Sequence, residues 1–167
     1  SSPASAEYYF NRGDTFERLQ QYEKAIADYT KAMELAPEVV ISYIQRSHVY
    51  VALQQYELAR ADYESALKLE PQNAEYYNSR GNISYDMQQR YDLAIQDYTH
   101  AIELAPTNSR YRLNRADAYA ALTQYEQAMA DYSEAIRLEP DLAWIYNNRG
   151  NAYLNRQNYD QALADYA

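Results

Sequence analysis

The chain has 167 residues, of which 47% are hydrophobic, 21 are tyrosine, three are glycine and none is cysteine. The lack of cysteine excludes disulfides and thiolate metal sites, and so few glycines disfavour a β-rich fold with many tight turns. The formal net charge of −9 argues against nucleic acid as a partner, because phosphate binding needs a basic face. No stretch approaches the roughly 18 consecutive apolar residues of a membrane-spanning helix, so we expect no membrane insertion.

The opening SSPAS, residues 1–5, lacks the basic and apolar regions of a signal peptide. We therefore expect a leader segment or an added scar there. Prolines recur at spacings of 34, 34, 35 and 34 residues, at Pro3, Pro37, Pro71, Pro106 and Pro140. A fixed period of this size is typical of a stacked repeat array rather than of a single closed core.

Each repeat contains two amphipathic segments, which in the first repeat are residues 6–19 and 22–35. Apolar and small residues recur in them at three- and four-residue spacing, which predicts a first and a second α-helix in every repeat. Proline then closes the second helix, because it cannot continue one. Asn73 and Asp141 follow prolines and are the predicted N-caps of the next first helix. The third repeat has one extra residue, which we place at residues 88–90, in the turn between its helices.

The period divides the chain, after residues 1–5, into repeats that span residues 6–39, 40–73, 74–108, 109–142 and a truncated 143–167. The landmarks of the first repeat are Tyr9, Gly13, Phe16, Ala25, Tyr29, Ala32 and Pro37. The fifth repeat supplies Tyr146, Gly150, Tyr153, Ala162 and Tyr166. This pattern resembles the tetratricopeptide repeat (TPR), and the resemblance implies an all-α, right-handed superhelical solenoid of antiparallel helix pairs. The fourth repeat departs from the pattern, with Arg112 at an aromatic position.

An arginine replaces the signature leucine of the TPR in every first helix, next to a small residue: Arg12, Arg46, Arg80, Arg115 and Arg149. Every second helix carries an aspartate just before a tyrosine: Asp28, Asp62, Asp97, Asp131 and Asp165. A charge beside a close helix contact is costly without a partner. The sequence therefore predicts a bidentate Arg–Asp pair in every repeat. The alternative is a row of arginines that binds an acidic ligand.

No residue pattern points to catalysis, a cofactor or a metal. His48 and His100 lie in different repeats, and neither has another histidine at ligand spacing. The chain has no glycine-rich phosphate loop and no recurring nucleophile–base arrangement. We therefore expect a protein that is not an enzyme.

In TPR arrays the first helices line a concave groove that binds peptides or helices, so the resemblance implies a binding site on that face. The side chains expected to line it are Asn11, Asp14, Gln45, His48, Asn78, Asn82, Arg110, Asn114, Asp117, Trp144, Asn147, Asn148 and Asn151. Apart from the adjacent Asn147 and Asn148, those on one helix are spaced three or four residues apart, which places them on one face of the helix. Asparagine amides can both donate to and accept from a peptide backbone. The alternative is a polar face that is simply solvated.

The function we expect from the sequence is a protein-interaction scaffold that binds a peptide or helix of a partner protein in this groove. The negative net charge favours a neutral or basic partner. One rival is a substrate-recognition or regulatory segment of a larger enzyme, which the natural sequence after Ala167 would reveal. Another is self-assembly through the C-terminal end, where the truncated repeat has no capping helix.

Overall fold

The computed structural model describes residues 5–87 and 90–167. In this part of the chain, ten α-helices follow one another and no strand occurs. They are α1 (Ala6–Arg18), α2 (Tyr22–Leu35), α3 (Val40–Ala52), α4 (Tyr56–Leu69), α5 (Ala74–Asp86), α6 (Tyr91–Leu104), α7 (Ser109–Ala121), α8 (Tyr125–Leu138), α9 (Ala143–Asn155) and α10 (Tyr159–Tyr166). No helix among these residues combines the length and the apolar character needed to cross a membrane.

The chain forms two compact units, an N-terminal unit that ends at Ile83 and a C-terminal unit that starts at Ser84. Within the N-terminal unit α1 packs on α2, α2 on α3 and α3 on α4. Within the C-terminal unit α6 packs on α7, and each later helix packs on the one before it. Odd-numbered helices are the predicted first helices and even-numbered ones the predicted second helices. Short connections between packed neighbours make each pair an antiparallel hairpin.

The turn within a helix pair ends the first helix with one residue in the left-handed conformation. These residues are Gln20, Gln54, Thr123 and Gln157, with φ of 57–59°. In the first pair, the amide of Gln21 donates to the carbonyl oxygen of Phe16 over 2.9 Å, which is the long bond of a Schellman motif. The sequence does not signal this motif, because glycine is absent from all four positions. The insertion predicted at residues 88–90 involves Gln88 and Gln89, which lie outside the described residues.

The N-cap predictions are half right. Asn73 caps α5, since its side-chain oxygen accepts the amide of Glu75 at 3.1 Å. The prediction that Asp141 is an N-cap is wrong. Helix α9 starts at Ala143, and its N-cap is Leu142, which makes no side-chain cap bond. The reason is the distance from the proline. The cap lies two residues after it, and Asp141 lies only one residue after it.

A second-helix tyrosine is part of the buried core in several helix pairs. Tyr29, Tyr98 and Tyr132 are fully buried. A Cβ atom added to Gly13 would approach Cε1 of Tyr29 to 2.9 Å, so only a residue without a side chain allows this contact. Aromatic rings bury about 150–250 Å² each. The repeated tyrosine is therefore a main source of apolar burial in a chain with little phenylalanine.

The predicted Arg–Asp pair is confirmed in four repeats. Bidentate bonds of 2.6–2.9 Å join Arg12 to Asp28, Arg46 to Asp62, Arg115 to Asp131, and Arg149 to Asp165. The remaining pair, Arg80 with Asp97, stays a prediction. Since these four guanidinium groups are already paired with aspartates of the same repeat, the alternative of an arginine row for an acidic ligand is not supported.

Three of these arginines also form a hydrogen bond to the preceding repeat. Arg46 donates to the hydroxyl of Thr30 at 2.7 Å and Arg115 to that of Thr99 at 3.0 Å. Arg149 makes the equivalent, longer bond of 3.3 Å to Ser133. Each of these guanidinium groups thus connects three helices, and their five N–H donors suit this task.

Candidate functional site

Polar side chains of the first helices recur in a fixed register around the repeated arginine. One residue before it lie Asn11, Gln45, Asn114 and Asn148. Two residues after it lie Asp14, His48, Asn82, Asp117 and Asn151. Positions three apart share one face of a helix, so each repeat presents such a pair side by side. All of these residues are at least partly exposed.

In the N-terminal unit, these polar side chains bond to one another. Nδ1 of His48 lies 3.1 Å from Oε1 of Gln45, and its Nε2 lies 3.3 Å from the hydroxyl of Tyr63. Asp14 forms an ion pair of 3.0 Å with Arg18 one turn later on α1. His48 and Asp14 thus both have side-chain partners within the unit.

In the C-terminal unit, Asp117 of α7 has neutral partners. The hydroxyl of Tyr132 donates to Oδ1, and Nδ2 of Asn148 donates to Oδ2 at 3.1 Å and to Oδ1 at 3.3 Å. Burial raises the pKa of Asp117 above its ordinary value, because desolvation disfavours the charged carboxylate; the two hydrogen-bond partners offset this in part. Burial raises the pKa of Tyr132, and the charge of Asp117 and the hydrogen bond to it raise that pKa further.

A cavity of about 360 Å³ opens beside Asp117. It is lined by side chains from α5, α7, α8 and α9: Tyr85, Asp117, Ala120, Ala121, Tyr132, Asn148, Asn151, Ala152 and Asn155. The structure thus brings together three predicted residues, Asp117, Asn148 and Asn151. The tyrosines and Asn155 were missed by the sequence analysis. A spacing of 15 residues could have revealed Tyr132. Tyr166 follows Asn151 by 15 positions and its hydroxyl donates to Oδ1 of Asn151 at 2.7 Å, and Tyr132 follows Asp117 by the same number.

Asn78 does not belong to an open groove. The residue is 1% exposed, so a partner cannot reach its side chain. It stands two residues before the repeated arginine, a position that Ile44 and Leu113 fill with buried apolar side chains. The prediction that Asn78 points into a groove is therefore wrong, because its side chain is buried, as are those of Ile44 and Leu113 at the same register.

Asn147 has the register of Asn78 but is exposed. It lines a different cavity, of about 700 Å³, which Tyr146 and residues 164–167 also border. The structure therefore separates Asn147 from Asn148 and Asn151, which line the cavity at Asp117.

Arg110 and Trp144 occupy the first turns of α7 and α9. Both are exposed, and the guanidinium carbon of Arg110 lies 5.7 Å from the ring centre of Tyr111. Neither of them lines the cavity at Asp117. Among the described residues, no group of three or more histidine, aspartate or glutamate side chains could hold a metal ion.

Comparison with known proteins identifies the repeat. Models described as "Tetratricopeptide repeat" match residues 6–39, 44–109 and 97–130, and one described as "TPR repeat" matches residues 116–157. No curated protein sequence matches the chain.

Solved structures share the fold at low sequence identity. MamA from Desulfovibrio magneticus RS-1 is 19% identical with a TM-score of 0.86, over 99% of this chain and 93% of that one. YrrB, described as a TPR protein with an unusual peptide-binding site, is 23% identical with a TM-score of 0.76, over 97% and 83%. PilF of Pseudomonas aeruginosa is 23% identical with a TM-score of 0.76, over 96% and 73%.

These similarities confirm the fold class expected from the sequence, an all-α solenoid of antiparallel helix pairs. Proteins of this fold are generally scaffolds for protein interaction and are typically non-catalytic. Repeat models along most of the chain, together with the recurring helix pairs, show that the chain belongs to the tetratricopeptide repeat family.

Proposed function

We propose that the chain is a protein-interaction scaffold that binds a polypeptide segment of a partner along its first helices. The observation that carries this proposal is the cavity at Asp117, where one carboxylate and the amides of Asn148, Asn151 and Asn155 meet. Its volume of about 360 Å³ lies at the low end of the roughly 300–1,000 Å³ of small-ligand sites. It suits individual side chains of a bound segment rather than a folded domain.

The amides suit recognition of a peptide backbone. Asn148, Asn151 and Asn155 follow each other at spacings of three and four residues, so they form a row along α9. Each amide can donate and accept, which matches the N–H and C=O groups of an extended chain. The peptide-binding site described for YrrB supports a peptide as the class of ligand.

The other exposed residues of the predicted site extend the proposed surface within each unit. In the N-terminal unit they are Asn11, Asp14, Gln45, His48 and Asn82, and in the C-terminal unit Arg110, Asn114 and Trp144. Trp144 is the proposed apolar anchor, because exposed tryptophans are frequent hot spots of interfaces. The net charge of −9 favours a neutral or basic partner and a higher association rate at low salt.

The experiment is a comparison of two double variants in partner binding. Asn151→Ala with Asn155→Ala removes two amides from the cavity, and Gln127→Ala with Gln161→Ala removes two exposed amides from second helices. A partner recovered by pull-down with the native chain should bind the cavity variant at least tenfold more weakly and the second-helix variant unchanged. Circular dichroism checks that both variants stay helical. Equal affinity of the two variants would move the binding site away from this face.

Self-association is a second proposal, supported by the last helix. α10 exposes Tyr159, Leu163 and Tyr166, and Leu163 is 68% exposed. Exposed apolar residues gathered on one face are typical of association sites. Sedimentation equilibrium should show a mass that rises with concentration, and Leu163→Glu should abolish the rise. A strict monomer at all concentrations would contradict this proposal.

A further inference from the structure

We propose that the cavity at Asp117 binds the ammonium group of a lysine side chain of the partner. This inference deepens the proposed function and rests on it, since it assigns a chemical specificity to the same cavity. The inference adds to the proposed recognition of a peptide backbone by neutral amides, because the carboxylate of Asp117 would select a positively charged side chain.

The first argument is that Asp117 has no internal cation. In the part of the chain that the structure describes, Asp117 forms no ion pair, whereas Asp62 and Asp131 each hold a guanidinium group at 2.6–2.9 Å. Its partners are the neutral groups of Tyr132 and Asn148. Burial raises the pKa of Asp117, so the carboxylate lies in a site where its charge is poorly solvated. A cation that enters the cavity supplies the missing compensation.

The second argument is the aromatic lining. Tyr85 and Tyr132 border the same cavity as Asp117. Aromatic faces attract cations within about 6 Å of the ring centre. The chain uses this contact elsewhere, for example between Arg46 and Tyr50 at 5.6 Å. A carboxylate beside the partly exposed ring of Tyr85 is therefore a favourable place for a cation that has left water.

The third argument selects an ammonium over a guanidinium group. An arginine binds a carboxylate most strongly when it donates to both oxygens, as Arg46 does to Asp62. On Asp117, Oδ1 already accepts from Tyr132 and Asn148, and Oδ2 accepts from Asn148. The remaining acceptor capacity on Oδ2 suits a single N–H donor. The compact ammonium of lysine does not need to bind both carboxylate oxygens, and the amides of Asn151 and Asn155 in the lining of the same cavity are candidate partners for its other N–H donors.

The experiment is an NMR titration of the native chain with three small probes: Nα-acetyl-lysine methylamide, Nα-acetyl-norleucine methylamide and Nα-acetyl-arginine methylamide. We expect saturable shifts of the side-chain amide signals of Asn148 and Asn151 with the lysine probe. The norleucine probe, which keeps the aliphatic stem without the charge, should bind at least tenfold more weakly. The arginine probe should also bind more weakly than the lysine probe.

Two variants locate the effect. Asp117→Asn keeps an acceptor for Tyr132 and should weaken binding of the lysine probe at least tenfold. Glu139→Gln, which removes one exposed negative charge outside the cavity, should leave the affinity unchanged. Should Asp117→Asn lose its fold, the comparison of lysine with norleucine on the native chain still decides.

Equal binding of lysine and norleucine, an arginine probe that binds as tightly as lysine, or full affinity in Asp117→Asn would overturn the inference. Its failure is distinguishable from failure of the proposed function. If the lysine probe fails to bind but Asn151→Ala with Asn155→Ala still weakens partner binding, the peptide-binding surface is retained and only the lysine site is refuted. Lysine binding with unchanged partner binding would leave the cavity as a cation site and refute its role in partner recognition.

Discussion

The two units share the same kind of contact between first and second helices, which we call the frame, and they differ in the polar side chains on their surface. In both, a first-helix arginine grips a second-helix aspartate through two bonds, as Arg46 does with Asp62 and Arg115 with Asp131. On the same helices, however, His48 is bonded to its neighbours, whereas Asp117 lies beside an open cavity and accepts hydrogen bonds from the neutral groups of Tyr132 and Asn148. Residues that recur from repeat to repeat hold the fold, and residues that vary at a fixed register form the surface that we propose for partner binding.

The largest expected effect tests the shared frame. Asp62→Ala and Asp131→Ala each leave a guanidinium group, whose side chain is 17% exposed, without its carboxylate. Removing one partner of a buried pair costs about 3–5 kcal/mol, so both variants should lose stability by that amount in urea unfolding. Asp28→Ala is the matched control, since Arg12 is 44% exposed and should lose less. Losses below about 1 kcal/mol for Asp62→Ala and Asp131→Ala would show that solvent already screens these pairs.

The second effect compares two glycines at the same register. An added Cβ at Gly13 would lie 2.9 Å from Cε1 of Tyr29, and at Gly150 it would lie 2.5 Å from Cε1 of Tyr166. Tyr29 is 0% exposed and cannot yield, whereas Tyr166 is 44% exposed and can rotate toward solvent. Overpacking a core costs about 1–3 kcal/mol.

Gly13→Ala should therefore destabilise the chain more than Gly150→Ala, although the contact at Gly150 is the tighter one. Thermal unfolding of both variants measures the difference. The reverse order would mean that Tyr166 is held as firmly as Tyr29, and that the two units are alike in rigidity as well as in frame.

The third prediction concerns pH and sharpens the contrast at Asp117. Its raised pKa means that the folded state binds the proton more tightly than the unfolded state does. From the unfolded pKa of about 3.9 up to the raised folded value, stability therefore falls as the pH rises, and above it the loss is complete. Asp117→Asn removes this penalty.

The unfolding free energy of Asp117→Asn should exceed that of the native chain at pH 7 and approach it near pH 4. Urea unfolding at a series of pH values checks this, with Glu139→Gln as the control that shows no such trend. A native chain that is the more stable protein at pH 7 would mean that the bonds from Tyr132 and Asn148 outweigh burial.

The frame could be predicted from the sequence because each of its elements recurs in several repeats. The period, the pairs of amphipathic segments, and the positions of the arginine and the aspartate recur in the sequence of all five repeats, so chance matches are averaged out. The left-handed turn residues, such as Gln20 and Gln54, were not predictable, since the sequence places no glycine there to mark them. Helix packing imposes that conformation on residues that do not favour it.

The candidate site could be predicted only in part, because it combines separate helices. Spacing along α7 and α9 found Asp117, Asn148 and Asn151, but Tyr85 reaches the cavity from α5, which no spacing within a repeat reveals. The error at Asn78 was avoidable. Comparing its register position with the apolar residues at that position in other repeats would have placed it in the core.

The smallest expected effect concerns Arg112, where the C-terminal unit departs from the family pattern. Tyr43 occupies the same position in the N-terminal unit, and its hydroxyl donates to the carbonyl oxygen of Pro37 at 3.1 Å. Arg112 makes the equivalent bond, in which Nη2 donates to the carbonyl oxygen of Pro106 at 3.4 Å. Its Nε, however, is buried and has no hydrogen-bond partner among the described residues.

Arg112→Tyr should restore the bond that Tyr43 makes and remove the unsatisfied donor. A buried donor without a partner costs about 1–3 kcal/mol, but Arg112 also lies 3.8 Å from Asp131 and loses that attraction when replaced. Asp131 keeps both bonds from Arg115, so the second loss is the smaller one. We therefore expect a gain of up to about 1 kcal/mol in urea unfolding, because exposed parts of the side chain contribute little. A loss of stability would show that Asp131 needs two guanidinium groups, and that the frame of the C-terminal unit differs from that of the N-terminal unit after all.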